Sequence, residues 1–175
     1  MTRYYHFGGF YVCMICFLFT LQLIYAMTNH TWTISPPAIV LWLFAAASLV
    51  LGIFGFNYKP DHVAKVRNWT TVTLSSLLCI VLFLGVLRFL FISEELMKTE
   101  HSPDEKYTIN FYLTNGGATT AFGVIGKNDG PLWFNKTIYN EYRMDKADVE
   151  WLDDHTVTIN GRTLDLEKGE TYPDS

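Results

Sequence analysis

Charge is what this sequence has least of. Only 17% of its side chains are charged, against about 25% in an average soluble domain, while 50% are apolar. That balance excludes a disordered chain, which combines low hydrophobicity with high charge. The formal net charge is -4, which lacks the basic footprint of general nucleic-acid binding. Cysteine is scarce too: Cys13, Cys16 and Cys79 all lie in apolar runs, and none follows Ser93. The later part of the chain is therefore no disulfide scaffold. The C-x-x-C spacing of Cys13 and Cys16 lacks the strand-to-helix setting of a redox motif. There is no G-x-S-x-G elbow, zinc-ligand spacing or phosphate-cradling glycine loop. The sequence thus names no cofactor, no metal and no catalytic residue, and the expectation is a protein that is not an enzyme.

The 175 residues suffice for one domain or two small units, and their charge is divided unevenly. Residues 1–92 carry six charges, Arg3, Lys59, Asp61, Lys65, Arg67 and Arg88, with a net of +4. Residues 93–175 carry eight basic and sixteen acidic side chains, a net of -8. Two chemically different halves meet near Ser93.

In the first half, Phe7 to Met27 is 21 residues without a charge. As a helix it is about 31 Å long, matching a hydrocarbon core of about 30 Å. Ala38 to Phe56 is a second uncharged run, preceded by Pro36 and Pro37, which suit a first helical turn. Val72 to Ile92 is a third, broken only by Arg88. These lengths predict three transmembrane helices over residues 7–27, 38–56 and 72–92, and none of the runs leaves the polar stripe of a soluble helix. The first run exceeds the usual h-region of a signal peptide and has no A-x-A-like site after it, so it reads as a retained span.

Basic residues orient the spans. Thr28 to Pro37 has none, whereas Asn57 to Thr70 holds Lys59, Lys65 and Arg67, and Arg3 lies before the first span. A cytoplasmic N-terminus satisfies all three and places the acidic half outside. Tyr4, Tyr5, Tyr11, Trp32, Trp42, Tyr58 and Trp69 then fall near the interfaces, where amphipathic rings are favoured. Arg88 is the one intramembrane charge; it is either a buried partner or gate, or a side chain snorkelling from the outer end of its helix. Ser48, Gly52 and Gly55, and Ser75 with Cys79, are small residues placed to let helices pack closely.

The second half reads as β structure after a stalk at residues 93–101, where Glu94 to Glu100 extends the third helix until Ser102-Pro103-Asp104 stops it. Tyr107, Ile109, Phe111 and Leu113 alternate with polar residues, the pattern of a half-buried strand. Asn115-Gly116-Gly117 predicts a hairpin turn to a strand over Ala118 to Ile125, Gly126 to Pro131 a second turn, and Leu132 to Tyr142 a third strand. Val149 to Leu152, Thr156 to Ile159 and Arg162 to Leu166 form a meander punctuated by Asp153-Asp154-His155 and Asn160-Gly161. Five to six short strands predict a small, mainly antiparallel extracytoplasmic domain over residues 102–175. The fold class expected is α+β.

SPDEKYTINFYLTNGGATTAFGVIG (Ser102 to Gly126) and ADVEWLDDHTVTINGRTLDL (Ala147 to Leu166) resemble an uncharacterised family of short membrane proteins from Gram-positive bacteria, with a C-terminal domain of unknown function. The resemblance covers roughly residues 102–172. It implies a bacterial cell-membrane protein with an external domain and carries no activity with it.

Among candidate sites, Asp153 and Asp154 beside His155 read either as a solvated hairpin turn or as a cation site. His101, Ser102 and Asp104 have the residue types of a hydrolytic triad without its setting. Most aromatics of the second half are expected in its core, with Tyr112, Tyr139 and Tyr142 as candidates for a recognition surface. The expected partners are the lipid bilayer and a membrane protein or cationic peptide drawn to the acidic domain, not nucleic acid. The function expected is a multi-pass cell-membrane protein whose external β domain binds or senses a partner, as an accessory or immunity-type factor. A membrane-embedded enzyme and a small transport component are the alternatives.

Overall fold

The computed structural model describes residues 5–57, 62–115 and 121–172. Tyr4, Tyr58, Lys59 and the Gly116-Gly117 turn lie outside them. The chain is α+β: among the described residues three α-helices, α1 (Tyr5–Asn29), α2 (Ala38–Phe54) and α3 (His62–Phe91), precede seven strands. It divides into two compact units. One holds α1 as far as Leu23 and the chain from Ser35 to Arg88; the other holds Ile24–Ile34 and the chain from Phe89 onward. The second unit is thus not one contiguous stretch, since it takes in the end of α1 and the connector that follows it.

In the first unit the helices are packed with their small and polar residues inward. Cys13, Cys16 and Thr20 of α1, Leu41, Ala45, Ser48 and Gly52 of α2, and Asn68, Thr71, Ser75, Leu78 and Leu82 of α3 are buried. On each helix these positions recur in steps of three and four, the seam of knobs-into-holes packing. Large apolar side chains face out instead, among them Ile15, Leu18, Leu43, Phe44, Leu77 and Ile80. The small residues permit close approach: a Cβ on Gly52 would lie 3.0 Å from Val72 Cγ2. Among the described residues two helices, Phe7–Asn29 and His62–Arg88, are long and apolar enough to cross a membrane, and α2 is shorter.

One helix boundary differs by more than two residues from the sequence expectation. α3 begins at His62 rather than Val72, so Lys65 and Arg67 stand on its first turns and not in a loop. Nothing between His62 and Thr71 breaks a helix, as the stretch has neither proline nor glycine. The Arg67 guanidinium lies 3.8 Å above the Phe7 ring, a cation–π contact. α2 starts as expected, with Pro37 as its N-cap and the Pro37 carbonyl accepting from Val40 N at 2.9 Å.

In the second unit, β1 (Ser93–His101), β2 (Thr108–Asn115), β3 (Gly123–Asp129) and β4 (Asn135–Tyr142) form an antiparallel sheet in that order. β5 (Val149–Trp151), β6 (Thr156–Ile159) and β7 (Arg162–Asp165) form a second, three-stranded one. Ile109, Phe111, Val124, Ile138 and Tyr139 of the first sheet share one core with Val157, Ile159, Leu164 and Leu166 from the second sheet and the end of its last strand. The helical stalk expected over Glu94 to Glu100 is strand β1, paired along its length with β2 from Ser93↔Asn115 to His101↔Thr108. The turn expected over Gly126 to Pro131 begins only after Asp129, because β3 pairs with β2 as far as Asn128 and with β4 as far as Asp129. The tail meander matches its expected boundaries to within one residue, β5 and β7 each ending one residue early, and Asn160 and Gly161 make its turn with φ of 48° and 79°.

Candidate functional site

The second unit holds a cleft formed by its strands and the connector after α1. It measures about 300 Å³ and is lined by Trp32, Asn128, Lys136, Ile138, Leu166 and the turn from Glu167 to Glu170, with Tyr107 alongside. Its floor follows from the pairing of β3 with β4. Asn128 and Lys136 are partners across that ladder, and a bulge follows between Gly126 and Lys127. The extra residue lets both Ile138 and Tyr139 turn inward. Asn128 lies on the same side of β3 as Val124 and Gly126, so an amide occupies a core-facing position at the end of the strand. It is 5% exposed, and its Oδ1 is buried with no hydrogen-bond partner. A buried, unsatisfied amide oxygen costs about 1–3 kcal/mol in an apolar setting.

One wall is the turn after β7. Asp165 organises it: its Oδ1 accepts from Glu167 N at 3.0 Å and Lys168 N at 3.2 Å, and its Oδ2 pairs with Lys168 Nζ at 2.8 Å. The Lys168 side chain, with these backbone donors, holds the Asp165 carboxyl below its ordinary pKa. Gly169, at φ 76°, presents its carbonyl to Lys136 Nζ at 2.7 Å. Burial pushes the Lys136 ammonium below the usual lysine range. The facing wall is Trp32, on the connector between α1 and α2. This ring packs on Gly130, where a Cβ would stand 2.8 Å from Trp32 Cζ3. The connector is held by main-chain pairing of Thr33 with Asn135, 2.8 Å for Thr33 N to Asn135 O.

Apolar floor, an aromatic wall, a half-buried amine, an unsatisfied amide and two exposed carboxylates, Glu167 and Glu170, form a small mixed pocket of the kind that orients a ligand by a few polar groups. Sequence reasoning named Trp32 only as an interfacial ring and did not single out Asn128 or Lys136. The available signal was strand parity, which places Asn128 inward once β3 is run to Asp129.

The residues singled out from sequence are scattered. Tyr139 is fully buried, which corrects its place on a recognition surface: it belongs to the core and stacks on Tyr172 with ring centroids 5.6 Å apart. Tyr112 is half-buried on the outer face of the sheet, where Lys127 Nζ lies 4.9 Å from its ring and pairs with Glu94 at 2.6 Å. Burial raises its phenol pKa. Tyr142 is exposed, its hydroxyl accepting from Ala121 N at 3.2 Å. Asp153 and Asp154 are exposed in the turn before β6. Asp153 Oδ1 accepts from His155 N at 2.9 Å and Thr156 N at 2.6 Å, and these amides, His155 first, lower its pKa. Its carboxylate shapes the turn. Ser102 is buried and does the same before β2, giving its hydroxyl hydrogen to Asp104 at 2.6 Å and accepting from Tyr107 N at 3.0 Å. Arg88 is exposed in the last turn of α3, not buried among the helices as a gate requires.

Neither a curated protein nor a solved structure matches the chain. A family model, described as a family of unknown function, matches residues 63–174. The match runs through α3 and both sheets, wider than the resemblance over residues 102–172. The chain belongs to this family, DUF5412.

Proposed function

We infer that the chain is a multi-pass protein of a Gram-positive bacterial cell membrane that presents its acidic β domain outside the cell to bind or sense a partner, as an accessory or immunity-type factor. The membrane reading is supported by the inverted packing of the helices. Small and polar residues are buried while Leu18, Phe44 and Ile80 face out, an arrangement suited to lipid and costly in water. It extends to α2, whose 17 residues stand at the lower limit of about 17 for a span. All three helices then cross, with the N-terminus and Lys65 and Arg67 on the cytoplasmic side. A cysteine at Asp154 is expected to react with an impermeant thiol reagent in intact cells, and one at His62 only after lysis. The reverse pattern inverts the topology.

The observation that carries the binding reading is the cleft, where Trp32, Lys136 and the unsatisfied Asn128 amide converge. The net charge of -8 over residues 93–175 attracts cationic partners at long range, and Trp32 offers a ring to a cationic side chain. Binding is favoured over catalysis because the Ser102 hydroxyl and the Asp153 carboxylate are bonded within their own turns. Full-length protein in nanodiscs, titrated with cationic peptides, tests this. Saturable binding that Trp32→Ala and Glu167→Gln weaken about tenfold supports it, the scale of one lost contact near 1.4 kcal/mol. Binding indifferent to both removes the cleft from the reading.

A further inference from the structure

The turn between β3 and β4 shows large apolar side chains to solvent on a constrained backbone. Gly130 N donates to Phe134 O at 2.9 Å and Phe134 N to Pro131 O at 3.1 Å, closing the loop tightly. At its tip Leu132 is 83% exposed and sits at φ 62°. That is the left-handed region, where a branched side chain is strained. Trp133 beside it is 44% exposed. Neither residue is turned toward the core its neighbours build.

The connector after α1 adds to the same patch. Trp133 Nε1 donates to Ile34 O at 3.2 Å, and Thr33 pairs with Asn135. Ile34 is 45% and Trp32 41% exposed. From Gly130 to Phe134 and from His30 to Ile34 there is no Lys, Arg, Asp or Glu, and the first of these stretches lies in residues 93–175, whose net charge is -8. A charge-free, aromatic tip on an acidic domain is the part an anionic leaflet would not repel.

Chain length fixes what meets it. The candidate span ends at Asn29, four residues before Thr33. At no more than about 3.6 Å per residue, Thr33 stands within about 15 Å of the end of that span. The headgroup layer is about 5–8 Å thick on each side, and interfacial side chains enter by about 5–10 Å.

We propose that Leu132 and Trp133, with Trp32 and Ile34, form a docking tip that inserts into the outer headgroup region of the membrane the protein itself spans. The tip thereby holds the β domain, and the cleft wall made by Trp32, at the bilayer surface. Strain at Leu132 is retained because the exposed side chain has lipid to enter. This proposal rests on the membrane reading above.

The test uses full-length protein in phosphatidylglycerol and phosphatidylethanolamine vesicles, carrying an environment-sensitive fluorophore on a single introduced cysteine, with the unsubstituted chain as labelling control. Leu132→Cys is compared with Leu152→Cys, which is exposed in the turn after β5, and with Leu18→Cys on the outer face of α1. Lipids carry a nitroxide at the headgroup or deep in the acyl chain. The expected result is strong quenching at Leu132 by the headgroup nitroxide, weak quenching at Leu152, and strong quenching at Leu18 by the deep one. Quenching at Leu18 without quenching at Leu132 overturns the docking tip and leaves the membrane reading intact. No quenching at Leu18 overturns both. Leu132→Cys unquenched by lipid but cross-linked to a second copy assigns the patch to self-association and also overturns the proposal. Because all three sites are exposed, none of the substitutions disturbs a packed core.

Discussion

The side-chain amide of Asn160 donates to the hydroxyl of Tyr139 across 3.1 Å, joining the turn of one sheet to the fourth strand of the other. The same hydroxyl also donates to the Glu141 carboxylate. Burial first, and then that carboxylate, pushes the phenol up to about 12, so it is neutral and a donor at any physiological pH. Tyr139→Phe keeps the ring and its stacking on Tyr172 but leaves Glu141 without this partner. We expect a loss of about 1–2 kcal/mol, read as a lower melting temperature of the β domain by near-UV circular dichroism of the full chain in detergent. An unchanged melting temperature would show that the two sheets do not depend on this bond.

Gly52 is expected to be intolerant of a larger side chain. Val72 Cγ2 and Thr71 Cγ2 stand 3.0 and 3.2 Å from where its Cβ would be, so Gly52→Leu forces α2 and α3 apart. Overpacking of this kind costs about 1–3 kcal/mol. Leu43→Ala, on the exposed face of α2, is the contrast and should leave thermal stability in the bilayer nearly unchanged. Equal sensitivity at both positions would contradict the inward seam.

Leu132→Gly is expected to stabilise. Glycine relieves a left-handed backbone that costs a branched residue about 1–2 kcal/mol, and in detergent the variant should melt higher than the parent. A lower melting temperature would mean that the Leu132 side chain makes packing contacts within the domain.

Acid should weaken the β domain through three carboxylates. Asp104 is lowered chiefly by the Ser102 hydroxyl, Asp153 by the His155 amide and Asp165 by the Lys168 side chain. Each favours its ionised form more in the fold than in the unfolded chain. Its contribution is therefore complete above the ordinary value of 3.8 and is lost as pH falls through its lower folded value. Asp129, raised by burial, works in the opposite sense. Urea midpoints measured from neutral pH down to about pH 2 should fall below about pH 4. They should fall less for the Asp104→Asn, Asp165→Asn double variant and more for Asp129→Asn. A double variant with the parent's acid profile would refute the assignment.

The sequence by itself determined what local patterning encodes. Uncharged runs gave α1 and α2 and the apolar part of α3, because a helix that lacks polar residues is visible in composition alone. The alternation of Ile109, Phe111 and Leu113 gave β2, and Asn160-Gly161 gave the β6–β7 turn, because both depend on neighbours in the chain. Glu94 to Glu100 misled for the complementary reason. Its residues favour a helix locally, but pairing with Thr108–Asn115 satisfies a full ladder of backbone groups, and that partner is distant in sequence. Tertiary structure alone decided that Tyr139 is core, since the β4 bulge turns two consecutive residues inward. It alone brought Trp32, Asn128 and Lys136 to one cleft and set Trp133 against Ile34 of the connector after α1. Those positions are about a hundred residues from the connector, and no local pattern carries a contact whose determinants are the bulge, the bridge at Thr33 and the packing on Gly130.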